Sequence, residues 1–566
     1  MRSYIWSLPV WCCRVMVRPE NIQELVVVDL CWIKFHFHYF GVPGLIGANI
    51  LVRRILFRST CVSYACGQNT FHITESLLHP PETTCAERSL LRLHIDTMKL
   101  LRAVRNKCFL RIHEFRYRRV GHESNCGLSR SLIVLNAGTA MNNCLTTLQQ
   151  IRPHLPVRLF NGFGALLQKT RIRSTRLVAT DLIETAKRRY GLADFGVGDF
   201  SGALDRLLHS CQEEARLNLI GKTALKVDVL EMLGARLQME RDRQLYPNIS
   251  HQEISKPLFI LGLPRSGTSV LHRLLAADPD HRSPLMWEVR APSPPNGVGE
   301  KRRIQRATQS CNFFNWLVPT FRYVHTMGAD VPQECVSLMT PTFLSDQFDA
   351  MYYVPSYRSW FFRQDLRPAY EYHRRFLQHL QFRQNGRRWI LKAPTHMFAM
   401  PSLLSVYPDA LFVQTHRTPV DAMASVSSLV TILRSAFSDS VDPITVCREA
   451  MAYWSEVMDR FLRERDRLAN SRIFDVRHDE ICRNPIGAVR RIYEYFDWSL
   501  SAEAEQRMRA LVAAQADRQS ANHRYDLSQF GSSPEEVLNA FAPYCQRFGL
   551  VNLDSVQQQQ PVRSVD

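Results

Sequence analysis

The stretch Leu258-Phe259-Ile260-Leu261-Gly262-Leu263-Pro264-Arg265-Ser266-Gly267-Thr268-Ser269 constrains this chain more than any other. Four consecutive apolar residues, Leu258 to Leu261, predict a strand buried on both faces. Gly262, Pro264 and Gly267 break that strand with a turn, and a helix is expected over 268–277. A strand that runs through a tight turn into a helix makes an anion site. The free amides of the first helical turn point at the ligand, and the helix dipole favours negative charge there. Gly267 permits a positive φ or a close backbone approach. Arg265 offers a fork of donors to a phosphate, and Ser266, Thr268 and Ser269 offer hydroxyls.

The same texture recurs downstream. Short apolar runs at 388–391, 410–415 and 472–476 predict three more strands, and helices are expected over 397–406, 419–434 and 485–496. Strands alternating with helices predict an α/β fold, a three-layer P-loop-like arrangement with a central parallel sheet. Upstream the pattern is helical. Leu204, Leu207, Leu208 and Cys211 share one helical face, a second run spans Leu225 to Arg241, and Thr180 or Asp181 is expected to cap an earlier helix. The chain therefore divides into an amino-terminal extension (1–150), a helical region (151–255) packing on an α/β domain (256–550), and a polar tail (551–566).

A nucleoside triphosphatase loop reads G-x-x-x-x-G-K-[ST]. Gly262, Gly267 and Ser269 fit that spacing, but Thr268 stands where the lysine belongs. The lysine reaches the β- and γ-phosphates, so its absence argues against nucleoside triphosphate hydrolysis. A cation inside the loop, Arg265, suits a shorter anion. A second strand-to-helix corner reads Thr415-His416-Arg417-Thr418-Pro419. Pro419 fits a first helical position, Arg417 ends the strand, and Ser425 lies two helical turns on.

The loop Pro264-Arg265-Ser266-Gly267-Thr268 resembles the 5'-phosphosulfate loop of sulfotransferases that use 3'-phosphoadenosine 5'-phosphosulfate (PAPS). The second corner resembles the segment with which they grip the 3'-phosphate, and that resemblance gives the role to Arg417 and Ser425. It extends over about 155–550 and is strongest to the bacterial-type group related to carbohydrate sulfotransferases. Supporting strings are Pro284-Leu285-Met286-Trp287-Glu288, Pro332-Gln333-Glu334-Cys335 and Leu391-Lys392-Ala393-Pro394-Thr395-His396. It implies PAPS as co-substrate, no metal, and transfer to a hydroxyl or amine of a small-molecule, lipid or carbohydrate acceptor. Two features depart from the cytosolic enzymes. Arg265 replaces their usual Lys, and the carboxy-terminal loop lacks their Lys- and Gly-rich signature, leaving Arg524 and Tyr525 as candidates to close on the nucleotide.

Sulfuryl transfer needs a base for the acceptor and positive charge for the leaving group. Arg265 and the loop amides suit the second need, and Lys392 is a candidate to stabilise the transferring group. Two residues stand for the base. Glu288 matches the catalytic carboxylate of carbohydrate sulfotransferases by resemblance, and His396 has a suitable ordinary pKa of about 6.5. Glu334 and Arg358 lie in loops expected to face the acceptor. The aromatic group Phe348, Tyr352, Tyr353, Tyr357, Trp360, Phe361 and Phe362 is expected to be core rather than acceptor pocket.

The net charge of +18 over 566 residues fits an anionic ligand. Nine of the 15 cysteines fall in the first 150 residues without the paired spacing of a zinc site. Residues 37–52 are apolar but short of the roughly 20 needed for a bilayer span, so no stable membrane span, no nucleic-acid partner and a cytoplasmic enzyme are expected. Two other readings compete: a P-loop nucleotide kinase or triphosphatase, and a non-catalytic nucleotide-binding protein.

Overall fold

A computed structural model describes residues 156–158, 160–162, 164, 176–294, 299–382, 384, 388–516 and 526–550. The expected extension over 1–150, the apolar stretch 37–52, Arg524, Tyr525 and the tail 551–566 lie outside these residues.

Five strands form one parallel sheet: β1 (Leu258–Gly262), β2 (His281–Arg282), β3 (Arg388–Lys392), β4 (Leu411–His416) and β5 (Ile473–Arg477), in the order β2-β3-β1-β4-β5. Four of them match the apolar runs of the sequence to within a residue or two. The fifth, β2, is two residues long and carries no such run. Side chains along a strand alternate between faces, and the core divides accordingly. Phe259, Leu261, Trp389, Leu391 and Phe412 enter one apolar cluster, whereas Leu258, Ile260, Ile390 and Val413 enter the other. Helices cover both faces, which gives the three layers expected of an α/β fold.

The helical region supplies α1 (Ala179–Tyr190), α2 (Ser201–Glu213) and α3 (Leu219–Leu245). Leu204, Leu207, Leu208 and Cys211 of α2 are buried in the larger cluster. The cap of α1 differs from expectation. The helix begins at Ala179, with Val178 at the cap position two residues before Thr180, and no side chain caps it; Asp181 instead places its charge in the first turn, where the dipole favours it. Downstream lie α4 (Thr268–Leu275), α5 (Met286–Arg290), α6 (Glu300–Leu317), α7 (Pro419–Phe437), α8 (Pro443–Arg465) and α9 (Pro485–Tyr495). By length and composition α7 is apolar enough to cross a membrane. Here it packs on α3 and α8 inside the core.

Strands β1 and β4 are the centre of the arrangement because their register sets Gly262 level with Thr415. Gly262 has φ 137°, and a Cβ there would lie 2.3 Å from Thr415 Oγ1 and 2.7 Å from its carbonyl oxygen. Gly262→Ala is therefore expected to cost about 1–3 kcal/mol of stability from backbone strain alone. It should also weaken nucleotide binding, because the loop and β4 must separate. Thermal denaturation and calorimetric titration with adenosine 3',5'-bisphosphate check both effects.

Candidate active site

The turn between β1 and α4 is held from within. The Ser266 hydroxyl is buried, 2.6 Å from the Leu263 carbonyl and 2.6 Å from Thr415 Oγ1, and the Ser266 amide donates to Leu263 at 3.2 Å. Ser266 thus builds the loop and ties it to β4, instead of presenting its hydroxyl to a ligand as the sequence suggested. Gly267 (φ 96°) is the residue before the helix, and Thr268 and Ser269 open it. Their amides have no acceptor within the helix. Arg265 adopts φ 71°, a conformation uncommon for a residue with a side chain.

The two corners meet. Arg265 Nε donates to Ser425 Oγ at 3.1 Å, and Arg417 Nη1 donates to the Arg265 carbonyl at 2.8 Å. Arg417 also lies 3.6 Å from Asp421 in the first turn of α7. Loop, strand end and helix therefore bring two guanidinium groups and one hydroxyl to the carboxyl ends of neighbouring parallel strands, where open α/β sheets bind their ligands.

A third element completes this cluster. Lys392, at the end of β3, is buried and donates to Ser269 Oγ at 3.2 Å and to the Glu334 carboxylate. Glu334 precedes the short helix Cys335–Met339. Burial pushes its carboxyl up, but the Lys392 ammonium outweighs that and holds it below the ordinary carboxylate value. His325 belongs to the same neighbourhood. Burial, helped by Lys392 and Arg265 and opposed by Glu334, pushes it down to about 4. On the other side, His478 at the start of the helix after β5 sits against Gly267, where a Cβ would be 3.2 Å from its ring. Burial and Arg417 push His478 down to about 4. His325 and His478 escaped sequence reasoning because neither lies within a recognisable string. Only the position of His478 one residue past β5 carries a signal.

The two base candidates from the sequence are held by other contacts. Glu288 spends both oxygens on structure. One accepts from Arg282 at 2.6 Å, the other from the Leu285 amide at 3.0 Å, which closes a capping box on α5. His396 is fully buried, its Nδ1 2.7 Å from the Tyr370 hydroxyl and its ring edge-on to Phe259 at 4.8 Å. Burial, reinforced by His373 and Lys392, holds it well below its ordinary pKa. Both residues are therefore engaged in the framework through these contacts, while the second ring nitrogen of His396, Nε2, is buried with no hydrogen-bond partner among the described residues. Arg358 is likewise engaged, in a half-buried network with Asp349, Glu449 and Arg434. Phe348, Tyr352, Tyr357 and Phe361 are core, as expected, with Trp360 and Phe362 packed against it, whereas Tyr353 is exposed.

Glu288→Gln removes one charge of a buried pair and leaves Arg282 without its carboxylate. The expected result is a loss of about 3 kcal/mol, the scale for breaking such a pair. Thermal denaturation reads this as a lower midpoint, with affinity for adenosine 3',5'-bisphosphate unchanged.

Comparison with known proteins identifies the family. A model of the sulfotransferase family matches residues 257–502. The crystal structure of sulfotransferase STF1 from Mycobacterium tuberculosis H37Rv is 33% identical with a TM-score of 0.59, covering 66% of this chain and 100% of that one. This chain belongs to the sulfotransferase family. Sulfotransferase STF9 from Mycobacterium avium is 30% identical with a TM-score of 0.62, covering 67% of this chain and 98% of its own. The omega-hydroxy-beta-dihydromenaquinone-9 sulfotransferase Stf3 of Mycobacterium bovis is 24% identical over 291 residues, 48% of this chain and 71% of that protein.

The sulfotransferase is thus an enzyme of sulfuryl transfer, and membership of the family implies PAPS as its sulfate donor. The residues present suit that anion. Cationic side chains converge on a turn whose helical amides lack internal acceptors, and Thr268 replaces the lysine that a triphosphate would need.

Proposed function

We propose that this sulfotransferase moves the sulfuryl group of PAPS to a hydroxyl on a lipid or other small-molecule acceptor, with Glu334 as the base. The observation that carries this reading is Lys392, which bridges Ser269 of the phosphate loop and the Glu334 carboxylate. In this reading the amides of Thr268 and Ser269 and the Arg265 guanidinium hold the 5'-phosphosulfate. Arg417 and Ser425 hold the 3'-phosphate. Lys392 neutralises charge on the transferring group, and Glu334 accepts the acceptor proton.

Binding of the donor and activation of the base are coupled through Lys392. An anion at the first turn of α4 competes with Glu334 for the ammonium. As that pairing weakens, burial weighs more on the carboxyl and raises its proton affinity. The base is therefore weak in the free protein and stronger once donor is bound.

The name of Stf3 specifies a hydroxylated dihydromenaquinone, which supports a lipid hydroxyl as the first acceptor class to try. The test is transfer from radiolabelled PAPS to a panel of isoprenoid alcohols, sterols, phenols and sugars. Labelling of one hydroxyl class, lost in Glu334→Gln, supports the proposal. Labelling of amines alone rejects the hydroxyl assignment.

A further inference from the structure

Helix α6 carries a second surface that the transfer reaction does not use. Its inner side is fixed: Arg303 lies over Trp287 at 4.8 Å and donates to the Ala291 carbonyl at 2.8 Å, while Ala307, Cys311 and Leu317 are buried. Its outer side reads Arg302, Arg306, Gln309, Phe313 and Trp316, spaced four, three, four and three residues apart, so that they share one stripe. All five are exposed. Phe313 keeps 44% and Trp316 39% of their surface, and the two rings sit 5.7 Å apart. Lys301 is exposed beside Arg302, and Arg322 is exposed just beyond the helix.

We infer that this face rests on an anionic phospholipid surface. Cations gathered at one end of a helix and exposed Phe and Trp at the other are the two elements of an interfacial helix. The aromatics enter the headgroup boundary and the cations meet lipid phosphates. The opposite side of the helix supplies its core contacts. Charge complementarity selects the occupant: the outer stripe and its flanks hold Lys301, Arg302, Arg306 and Arg322, with Glu300 as the one acidic residue of α6. The helix leads along the chain toward the candidate site. From α6 the chain passes through Phe321–Val324 to His325, which lies beside Glu334, Lys392 and Arg265.

The test is flotation of the full chain with vesicles of phosphatidylcholine alone or with 30% phosphatidylglycerol. Binding is expected only to the anionic vesicles and should weaken as salt rises from 0.1 to 0.5 M. Each cation contributes about fivefold near such a surface, so Arg302→Glu with Arg306→Glu should weaken binding on the order of 25-fold or more. Phe313→Ser with Trp316→Ser should weaken it about tenfold. Both double variants should keep wild-type affinity for adenosine 3',5'-bisphosphate, which certifies their folding. No binding by the wild type, equal binding by the variants, or a concentration-dependent dimer that the aromatic variant abolishes would each overturn the inference. The last would make the face a self-association surface. Failure here leaves the assignment of Glu334 untouched, since that is read from transfer rates.

Discussion

Glu334→Gln is expected to lower kcat by about 10²–10⁴-fold, the range for loss of a general base, while affinity for adenosine 3',5'-bisphosphate changes by less than about threefold. The substitution keeps the shape and removes the proton acceptor. It also leaves an amide oxygen to which Lys392 can still donate, so the lysine stays near Ser269. A split between kcat and binding is the diagnostic. If kcat holds and nucleotide affinity falls instead, the carboxylate positions Lys392 and does not take the proton. The pH profile gives an independent reading. Burial raises and Lys392 lowers the Glu334 pKa, with the lowering dominant in the free protein. The acid limb of kcat/KM, which reports the free enzyme, should therefore lie below the ordinary carboxylate value. The limb of kcat, which reports the bound state, should lie at higher pH, because donor binding draws Lys392 away. Coincident limbs would reject that coupling.

The parts of this fold that were legible in the sequence are those fixed by local chemistry. Four apolar residues from Leu258 to Leu261 specify a strand buried on both faces, and their alternate entry into two clusters follows from the pleat. Pro419 begins α7 as its fixed φ requires. The meeting of Arg265, Arg417 and Ser425 was foreshadowed because each sits at a strand end or two turns into the helix after it. Glu288 shows the limit. Its carboxylate closes a capping box, but the cap position holds Leu285 in place of Ser or Thr, so the usual sequence signature is missing. Its second partner, Arg282, lies on a two-residue strand without an apolar run. The Glu334–Lys392 pair is separated by 58 positions and joins the end of β3 to the segment that precedes the helix Cys335–Met339. His325 reaches the same place from yet another segment. Such pairs are tertiary, and nothing in either local string announces the other.

Arg417→Ala should weaken binding of adenosine 3',5'-bisphosphate by about 10–100-fold, the scale of a charge-assisted hydrogen bond of about 1.5–3 kcal/mol. Two sources of that loss separate by choice of ligand. Arg417 props the loop through the Arg265 carbonyl at 2.8 Å. If that bond were its whole contribution, every nucleotide would suffer alike, including adenosine 5'-phosphate. If Arg417 grips the 3'-phosphate, the loss is confined to ligands that carry one, and the wild-type preference over adenosine 5'-phosphate or ATP collapses. The coupling between Arg417→Ala and removal of the 3'-phosphate in a double-mutant cycle measures the grip directly. Arg265→Ala supplies the contrast. Its guanidinium contacts Ser425 while its backbone shapes the turn, so its loss should weaken both kinds of nucleotide. A wild-type protein that prefers ATP to adenosine 3',5'-bisphosphate would dissolve the argument at its root, because two cations at neighbouring strand ends would then have been arranged for a different anion.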